Sequence, residues 1–386
     1  MMEPGQSFTW QLPTKVVFGT GTVRKIGEQA RALGGTRVLV VTDPVLRRVG
    51  PIEETRKYLE EAGLAVTIYD GVEPNPTIEV VEQGLTLARE FACDLLVGLG
   101  GGSSIDSAKA IGLMLNNAGS ISDYWGRAPA NRAVPVIAVP TTAGTASEVT
   151  WVTVIKDAKR KVKMGIGHPN LAAAVALCDP ALSTTMPANV TASTGLDALT
   201  HAVESYTNTS TEPISEALAL EAIRLIGANL RPAVAKGDNL SARERMLLAS
   251  LMAGLAFANT RLGIVHAITS PLGGYFPVPH GVVNAILLPY AMEFNLIGHL
   301  EKHARIAAAL GENVQGLSPV EAAGRSVEAV KKLAKDVGLP AGLGEVGVKE
   351  ESLPEVCAEA MKNVNIPINP RRPTVEDLIT ICKKAM

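Results

Sequence analysis

The sequence predicts two parts in tandem: an α/β Rossmann-type layering with a mostly parallel sheet over residues 1–187, then an all-α part over residues 188–386. Three observations carry this reading. Short β-branched runs alternate with helix-period stretches through the first half. Strand signals almost vanish from about residue 188, where helix signals follow one another. At 386 residues the chain exceeds one ordinary core and suits two.

The elements follow in order. "RVLVVTD" (37–43) reads as a strand, and a Glu-, Arg- and Leu-rich helical stretch runs on to Gly63. "AVTIYDG" (65–71) is a second strand, and "IEVVEQGLTLAREF" (78–91) has helical periodicity. "DLLVGLGGG" (94–102) is a strand ending in glycines, "SSIDSAKAIGLML" opens a helix, and "VPVIAVPTT" (134–142) is a further strand. In the second half, Ser241 with Glu244 has capping-box spacing. Ser318, Pro319 and Glu321 supply an N-cap, a first-turn proline and a box partner, and Thr374 with Asp377 repeats the pattern. Gly338-Leu339-Pro340 reads as a helix stop. No internal repeat, low-complexity tract or long linker interrupts the chain.

Composition removes several function classes. Hydrophobic residues make up 47% and charged ones 19%, as in a globular chain with a large buried fraction, while aromatics are only 4%. A net charge of -2 and no long basic run give nucleic acid or an anionic membrane nothing to bind. The N-terminus lacks the pattern of a signal peptide, and no apolar run reaches the ~18–20 residues of a membrane span. Cys93, Cys178, Cys357 and Cys382 are scattered, which suggests neither a disulfide framework nor a thiolate metal site. A cytoplasmic location is expected.

Two features of the first half point to a nucleotide. Gly100, Gly101 and Gly102 stand between a buried strand and a helix. There a phosphate can approach the backbone and meet the N–H groups and positive dipole end of the helix. The pattern is not G-x-G-x-x-G, so a bare strand-to-helix turn is the alternative. Asp43 ends an earlier strand, where a carboxylate accepts from an adenosine ribose and repels a 2′-phosphate. It is equally placed to cap a helix before Pro44. The acid precedes the glycines, the reverse of the usual dinucleotide order, so the part is Rossmann-like in chemistry and not in order. Arg47 and Arg48 follow closely and leave tolerance of NADP open.

The second half concentrates metal-binding side chains. Asp197 and His201 are four residues apart in the apolar stretch "GLDALTHAVE" and share a helix face. His266 and His280 lie in "GIVHAITSPLGGYFPVPHG". A lone buried His is usually a satisfied core residue, whereas three with an Asp in apolar surroundings suit zinc, iron, nickel or manganese. A second i, i+4 pair, His299 and His303 in "HLEKH", is read as a solvated helix face, and His168 as a loop residue.

With "GGGSSIDSAKA", "PTTAGTASEVT", "DPALSTTMPANVTASTGLDALTHAVE" and "VPHGVVNAILLP" in this order, the chain resembles the iron-containing (group III) alcohol dehydrogenases. Lactaldehyde reductase and 1,3-propanediol dehydrogenase belong to that family. The likeness runs from about residue 8 to the C-terminus. It implies that Asp197, His201, His266 and His280 bind one divalent metal per chain, iron(II) first and zinc second. It implies that Asp43, Asn75, Gly101, Gly102, Ser103, Asp106, Thr141, Thr142, Thr150, Lys163 and Leu182 line an NAD site. One position departs from the family pattern: many members have a further His four residues after the third ligand, where this chain has Ser270.

The function expected is hydride transfer between NAD(H) and a small primary alcohol or its aldehyde, in a cleft between the two parts, by a homodimer or larger homo-oligomer. Trp151 and Phe257 are expected either to wall the substrate pocket, with Ser270, or to be plain core. The rivals are a glycerol dehydrogenase, against which His201 argues, and a 3-dehydroquinate synthase-like lyase, which needs a basic phosphate-binding cluster absent from 197–201 and 263–284. A binding protein without activity would have no use for both sites.

Overall fold

A computed structural model of the protein describes residues 7–160 and 162–386. The chain forms two compact units. One holds residues 12–142 and 146–184; the other holds 7–11, 143–145 and 185–386.

The first unit is built on a six-stranded sheet in the order β1-β8-β5-β4-β2-β3, every neighbouring pair parallel. The strands are β1 (Lys15–Phe18), β2 (Arg37–Val41), β3 (Ala65–Tyr69), β4 (Leu95–Gly100), β5 (Val136–Pro140) and β8 (Val175–Cys178). A separate antiparallel hairpin joins β6 (Val152–Asp157) to β7 (Val162–Gly167). The helices are α1 (Ile26–Ala32), α2 (Pro44–Val49), α3 (Pro51–Glu61), α4 (Ile78–Glu90) and α5 (Gly102–Leu115).

Strands β2 and β4 are apolar along their length because both sheet faces are covered. Alternate side chains feed separate cores. Val38, Val40, Val97 and Leu99 pack with Ile26 of α1 and Ile52 and Leu59 of α3. Leu39, Val41 and Leu96 pack with Val81 and Leu85 of α4 and Ile105 and Ile111 of α5. A Cβ on Gly98 would stand 2.9 Å from the Ile105 Cα, so α5 rests directly on β4.

The strand order places a topological switch between β2 and β4. The chain leaves β2 for β3 on one side and leaves β4 for β5 on the other. Ligands of open α/β sheets bind at the carboxyl ends of such strands.

Some sequence expectations change. The helical stretch before Gly63 is two helices, broken where Gly50 (φ 133°) meets Pro51, which starts α3. Strands β1 and β8, four residues each, and the β6–β7 hairpin are not among the elements read from sequence. Runs that short give too few repeats for a period to register.

The second unit is helical among its described residues: α6 (Ala188–Thr207), α7 (Pro213–Ala235), α8 (Leu240–Thr260), α9 (Ile264–Tyr275), α10 (His280–Asn295), α11 (Leu300–Ala309), α12 (Pro319–Asp336), α13 (Leu353–Ala360) and α14 (Val375–Lys384). Ser318 and Thr374 cap α12 and α14 in capping boxes, as expected. Ser241 does not cap α8. Asn239 takes that role two residues earlier by accepting from Ala242 N at 3.2 Å, which leaves Ser241 inside the helix. Gly338 (φ 74°) follows the end of α12.

Helices α6, α7 and α8 pack on one another. Buried Arg243 of α8 pins the start of α6 through Met186 O at 2.9 Å and Thr191 Oγ1 at 2.6 Å. Between α8 and α9 the path bends by 97°. The bend passes through Arg261 in a left-handed conformation (φ 65°), and the Asn208 amide holds the carbonyls of Thr260 and Arg261. Helix α10 meets α6 so closely that a Cβ on Gly281 would fall 2.5 Å from Ser193 O. The helical run His280–Gly298 is long and apolar enough to cross a membrane, contrary to the reading of the sequence. Its first part packs on α6, α9, α12 and α14, as a core helix does.

Candidate metal centre and nucleotide loop

The centre is assembled from three helices of the second unit. Asp197 and His201 sit one turn apart on α6, His266 is in the first turn of α9, and His280 begins α10. Asp197 Oδ1 is 3.9 Å from His201 Nε2, 3.9 Å from His266 Nε2 and 3.7 Å from His280 Nε2. The ligand atoms of Asp197, His201 and His266 lie within 4.8 Å of one another, and all three residues are buried. His280 is half-buried.

The imidazoles are set from behind. His201 Nδ1 is 3.1 Å from Gly144 O, which can only accept, so Nδ1 carries the proton and Nε2 keeps its lone pair. His266 Nδ1 lies 2.6 Å from Glu204 Oε2, which fixes the same tautomer. The other Glu204 oxygen accepts from Val265 N at 2.6 Å and so caps α9. Phe257 stacks on the His201 ring with centroids 4.5 Å apart, and the His266 ring also stacks on His201, at 4.7 Å. Burial opposes the charge on Asp197, but the three imidazoles and Asn284 outweigh it and hold the carboxyl below its ordinary value. Burial drives the His201 imidazole down to about 4. A carboxylate with three imidazole Nε2 atoms converging beside it forms a donor set for a first-row divalent ion.

In the first unit, the glycine loop leaves β4 beside the end of β2. Gly100 has φ 150°, and a Cβ there would meet Ser104 Oγ at 2.5 Å, so the turn into α5 requires glycine. At Gly101 a Cβ would meet only Thr142, at 3.5 Å. Asp43 stands one strand away, at the end of β2, which pairs with β4 (Val41 opposite Gly98). Its Oδ1 accepts from Val45 N and Leu46 N at 2.9 and 3.0 Å, so the capping role is real. That cap also holds the carboxylate at the switch point.

Comparison with known proteins then decides the family. Residues 13–180 match the iron-containing alcohol dehydrogenase profile, and residues 191–386 match the C-terminal profile of the Fe-containing alcohol dehydrogenase family. The chain belongs to the iron-containing alcohol dehydrogenase family. It is 44% identical to 1,3-propanediol dehydrogenase of Klebsiella pneumoniae over 98% of each chain. It is 42% identical to NAD-dependent methanol dehydrogenase of Bacillus methanolicus, over 97% of this chain and 99% of that one. A crystal structure of 1,3-propanediol oxidoreductase superposes with a TM-score of 0.96 at 44% identity, over 99% of this chain and 100% of that one. The chemistry of the iron-containing alcohol dehydrogenases is alcohol oxidoreduction with NAD and a metal, and neither the polyol nor the lyase alternative is favoured.

The remaining residues implied by the family likeness are placed as follows. Ser103 is in the first turn of α5, and Thr141 and Thr142 follow β5, with Thr141 N donating to Gly100 O at 2.9 Å. Asn75 is exposed in a left-handed conformation (φ 58°). The carboxylate of Asp106 is taken up by protein donors: the Ser147 hydroxyl, Val154 N at 2.9 Å, and Lys109 at 3.6 Å. Fully buried Lys109 also donates to the Thr150 carbonyl and hydroxyl. These two residues tie α5 to the start of the hairpin. Lys163, on β7, is pushed down to about 8 by burial and by neighbouring Lys156. Leu182 packs against the Val38 face of the core. Trp151 is half-buried beside β6, with its carbonyl accepting from His168 N at 3.0 Å. Half-buried Ser270 is four residues after His266 on α9 and therefore shares its face.

Two residues at the centre escape the sequence reading. Glu204 stands at i+7 from Asp197, on the face that carries Asp197 and His201, so helical periodicity could have found it. Asn284 stands at i+4 from His280. One expectation reverses: His303 faces inward, 1% exposed and 3.3 Å from Ser326 Oγ, while His299 lies before α11 and not on it.

Proposed function

We propose that the chain is an NAD-dependent dehydrogenase of small primary alcohols and their aldehydes, with Asp197, His201, His266 and His280 as ligands of one divalent ion, iron(II) first and zinc second. The observation that carries this reading is the convergence of three Nε2 atoms on Asp197 Oδ1, at 3.7 to 3.9 Å. Two of those imidazoles have their other nitrogen fixed as a donor.

When bound, the ion supplies Lewis acidity toward the substrate oxygen, and NAD supplies the hydride acceptor. The chain supplies position and charge. Asp197 balances part of the cation's charge. Gly144 and Glu204 hold the imidazoles in the ligating tautomer. Phe257, stacked on His201, keeps water from that side of the centre. In the first unit, the turn at Gly101, Gly102 and Ser103 offers backbone N–H groups to a pyrophosphate, and Asp43 offers its carboxylate to the adenosine ribose. Asn75, Thr141, Thr142, Thr150, Lys163 and Leu182 are carried as nucleotide neighbours on family likeness, and Asp106 as the residue that braces the loop. The division into a dinucleotide-binding part (1–187) and a metal-binding part (188–386) belongs to this proposal. So do a cytoplasmic location and a homo-oligomeric state, which rest on sequence pattern and resemblance.

The test is reconstitution. Protein stripped by a chelator is loaded with iron(II) or zinc and screened against alcohols with NAD and aldehydes with NADH. Activity that depends on the ion and disappears in His201→Ala, with the fold kept by circular dichroism, is expected. Full metal content and turnover in His201→Ala would remove the site.

A further inference from the structure

Asn284 is 0% exposed and sits among the candidate ligands. Its Nδ2 is 2.7 Å from Asp197 Oδ1, 3.1 Å from His266 Nε2 and 3.1 Å from His280 Nε2. Three of the four candidate ligand atoms thus lie within hydrogen-bond reach of one amide nitrogen. All three are acceptors in the ligating state, so the NH₂ side of the amide faces them. The amide oxygen, also buried, has no hydrogen-bond partner among the described residues. Asn284 is therefore oriented by its donors.

A carboxylate oxygen has lone pairs enough to accept from Asn284 and to ligate an ion together. An imidazole Nε2 has one lone pair, in the ring plane. It accepts from Asn284 or binds a cation, and cannot do both.

We propose that Asn284 is a placeholder of the metal centre: one amide N–H is given to Asp197 and the other is shared by the Nε2 lone pairs of His266 and His280, and that second N–H must release both imidazoles when an ion binds, while the bond to Asp197 can persist. The residue positions the ligands and at the same time sets a cost on metal uptake. The inference rests on the metal-site reading above.

The test compares the full-length protein with Asn284→Leu, near in size and without hydrogen-bonding groups, and with Asn284→Ala. Each is stripped by a chelator and titrated with zinc against a chromophoric chelator. Melting is recorded with and without zinc. The bond to Asp197 is lost from both states of the variants and largely cancels. The one bond shared by the two imidazoles is lost only from the metal-free state. Zinc affinity should therefore rise about fivefold in Asn284→Leu, the worth of one modest neutral hydrogen bond. The rise should be smaller in Asn284→Ala, where water can reach the same lone pairs. The metal-free melting temperature should fall and the zinc-induced increase should grow. Asn284→Ala carries the test if the leucine variant does not fold. Weaker zinc binding in the variants would make Asn284 a ligand or a pure organiser and overturn the proposal. Unchanged affinity with an unchanged zinc-induced shift would make it a bystander. Absence of zinc binding in the unaltered protein would overturn the metal-site reading itself.

Discussion

Glu204 Oε2 lies 2.6 Å from His266 Nδ1, and the same carboxylate accepts from Val265 N through its other oxygen. Both partners are N–H donors, so only a group with two acceptor oxygens satisfies them together. Glutamine has one. In Glu204→Gln its amide NH₂ would face either the helix terminus or the imidazole. Where it faces the imidazole, the proton moves to Nε2 and the ligand lone pair is lost. Metal affinity should fall by roughly 10- to 100-fold, as when outer-shell partners of ligating histidines are removed. Competition against a chelator measures it. Equal affinity in both proteins would mean that the bond only anchors α9.

Asp43 should set the preference for NAD over NADP. Asp43→Gly removes the carboxylate that would repel a 2′-phosphate. It should lower the NAD-to-NADP ratio of kcat/KM on the order of tenfold. The lost cap on α2 costs only a few tenths of a kcal/mol when glycine replaces it. Arg47, paired with Glu53 and 3.8 Å from Asp70, is already engaged and would give little help to the phosphate. Equal kcat/KM for the two cofactors in the unaltered protein would contradict the assignment.

Ser270 stands on the His266 face of α9, where the family resemblance leads one to expect an imidazole. A hydroxyl does not exchange a proton near neutral pH except within a relay. Ser270→His should add a limb to the profile of kcat/KM against pH near the ordinary His value of about 6.5, moved by the nearby cation. If the position governs substrate size instead, KM will change across substrates without a new limb. A profile and a selectivity that both stay the same would make position 270 irrelevant to the reaction.

His303 should make the protein sensitive to acid. Burial, then neighbouring His299, pushes it down to about 4, while the unfolded chain titrates near 6.5. Between these values the unfolded state holds the proton and the folded state does not. Stability is therefore full above about 6.5 and is lost as pH falls toward about 4. The loss between about pH 7 and about pH 5 should be on the order of 2 kcal/mol. His303→Leu should remove that part of the slope in urea unfolding at the two pH values. The same slope in both proteins would show that His303 binds its proton in the fold as readily as in the unfolded chain.

What the sequence determined lies within single elements. The 3.6-residue period places Asp197 and His201 on one helix face before any fold is known, and the same period could have added Glu204. Apolar runs ending in Asp43 and in Gly100 mark strand ends, and the boxes at Ser318 and Thr374 are complete within four residues. Contacts between elements were the work of tertiary structure. Asp43 and Gly101 come together because β2 pairs with β4 across a switch in strand order. His266 reaches Asp197 because the chain bends by 97° at Arg261. Asn284 joins them because Gly281 lets α10 approach the α6 backbone. Cys357 and Cys382, far apart in sequence, have sulfurs 3.9 Å apart between α13 and α14. His303 carries charged neighbours in sequence yet faces Ser326 of α12. Periodicity records which side chains share a face; which face is buried, and against what, depends on packing between segments far apart in the chain.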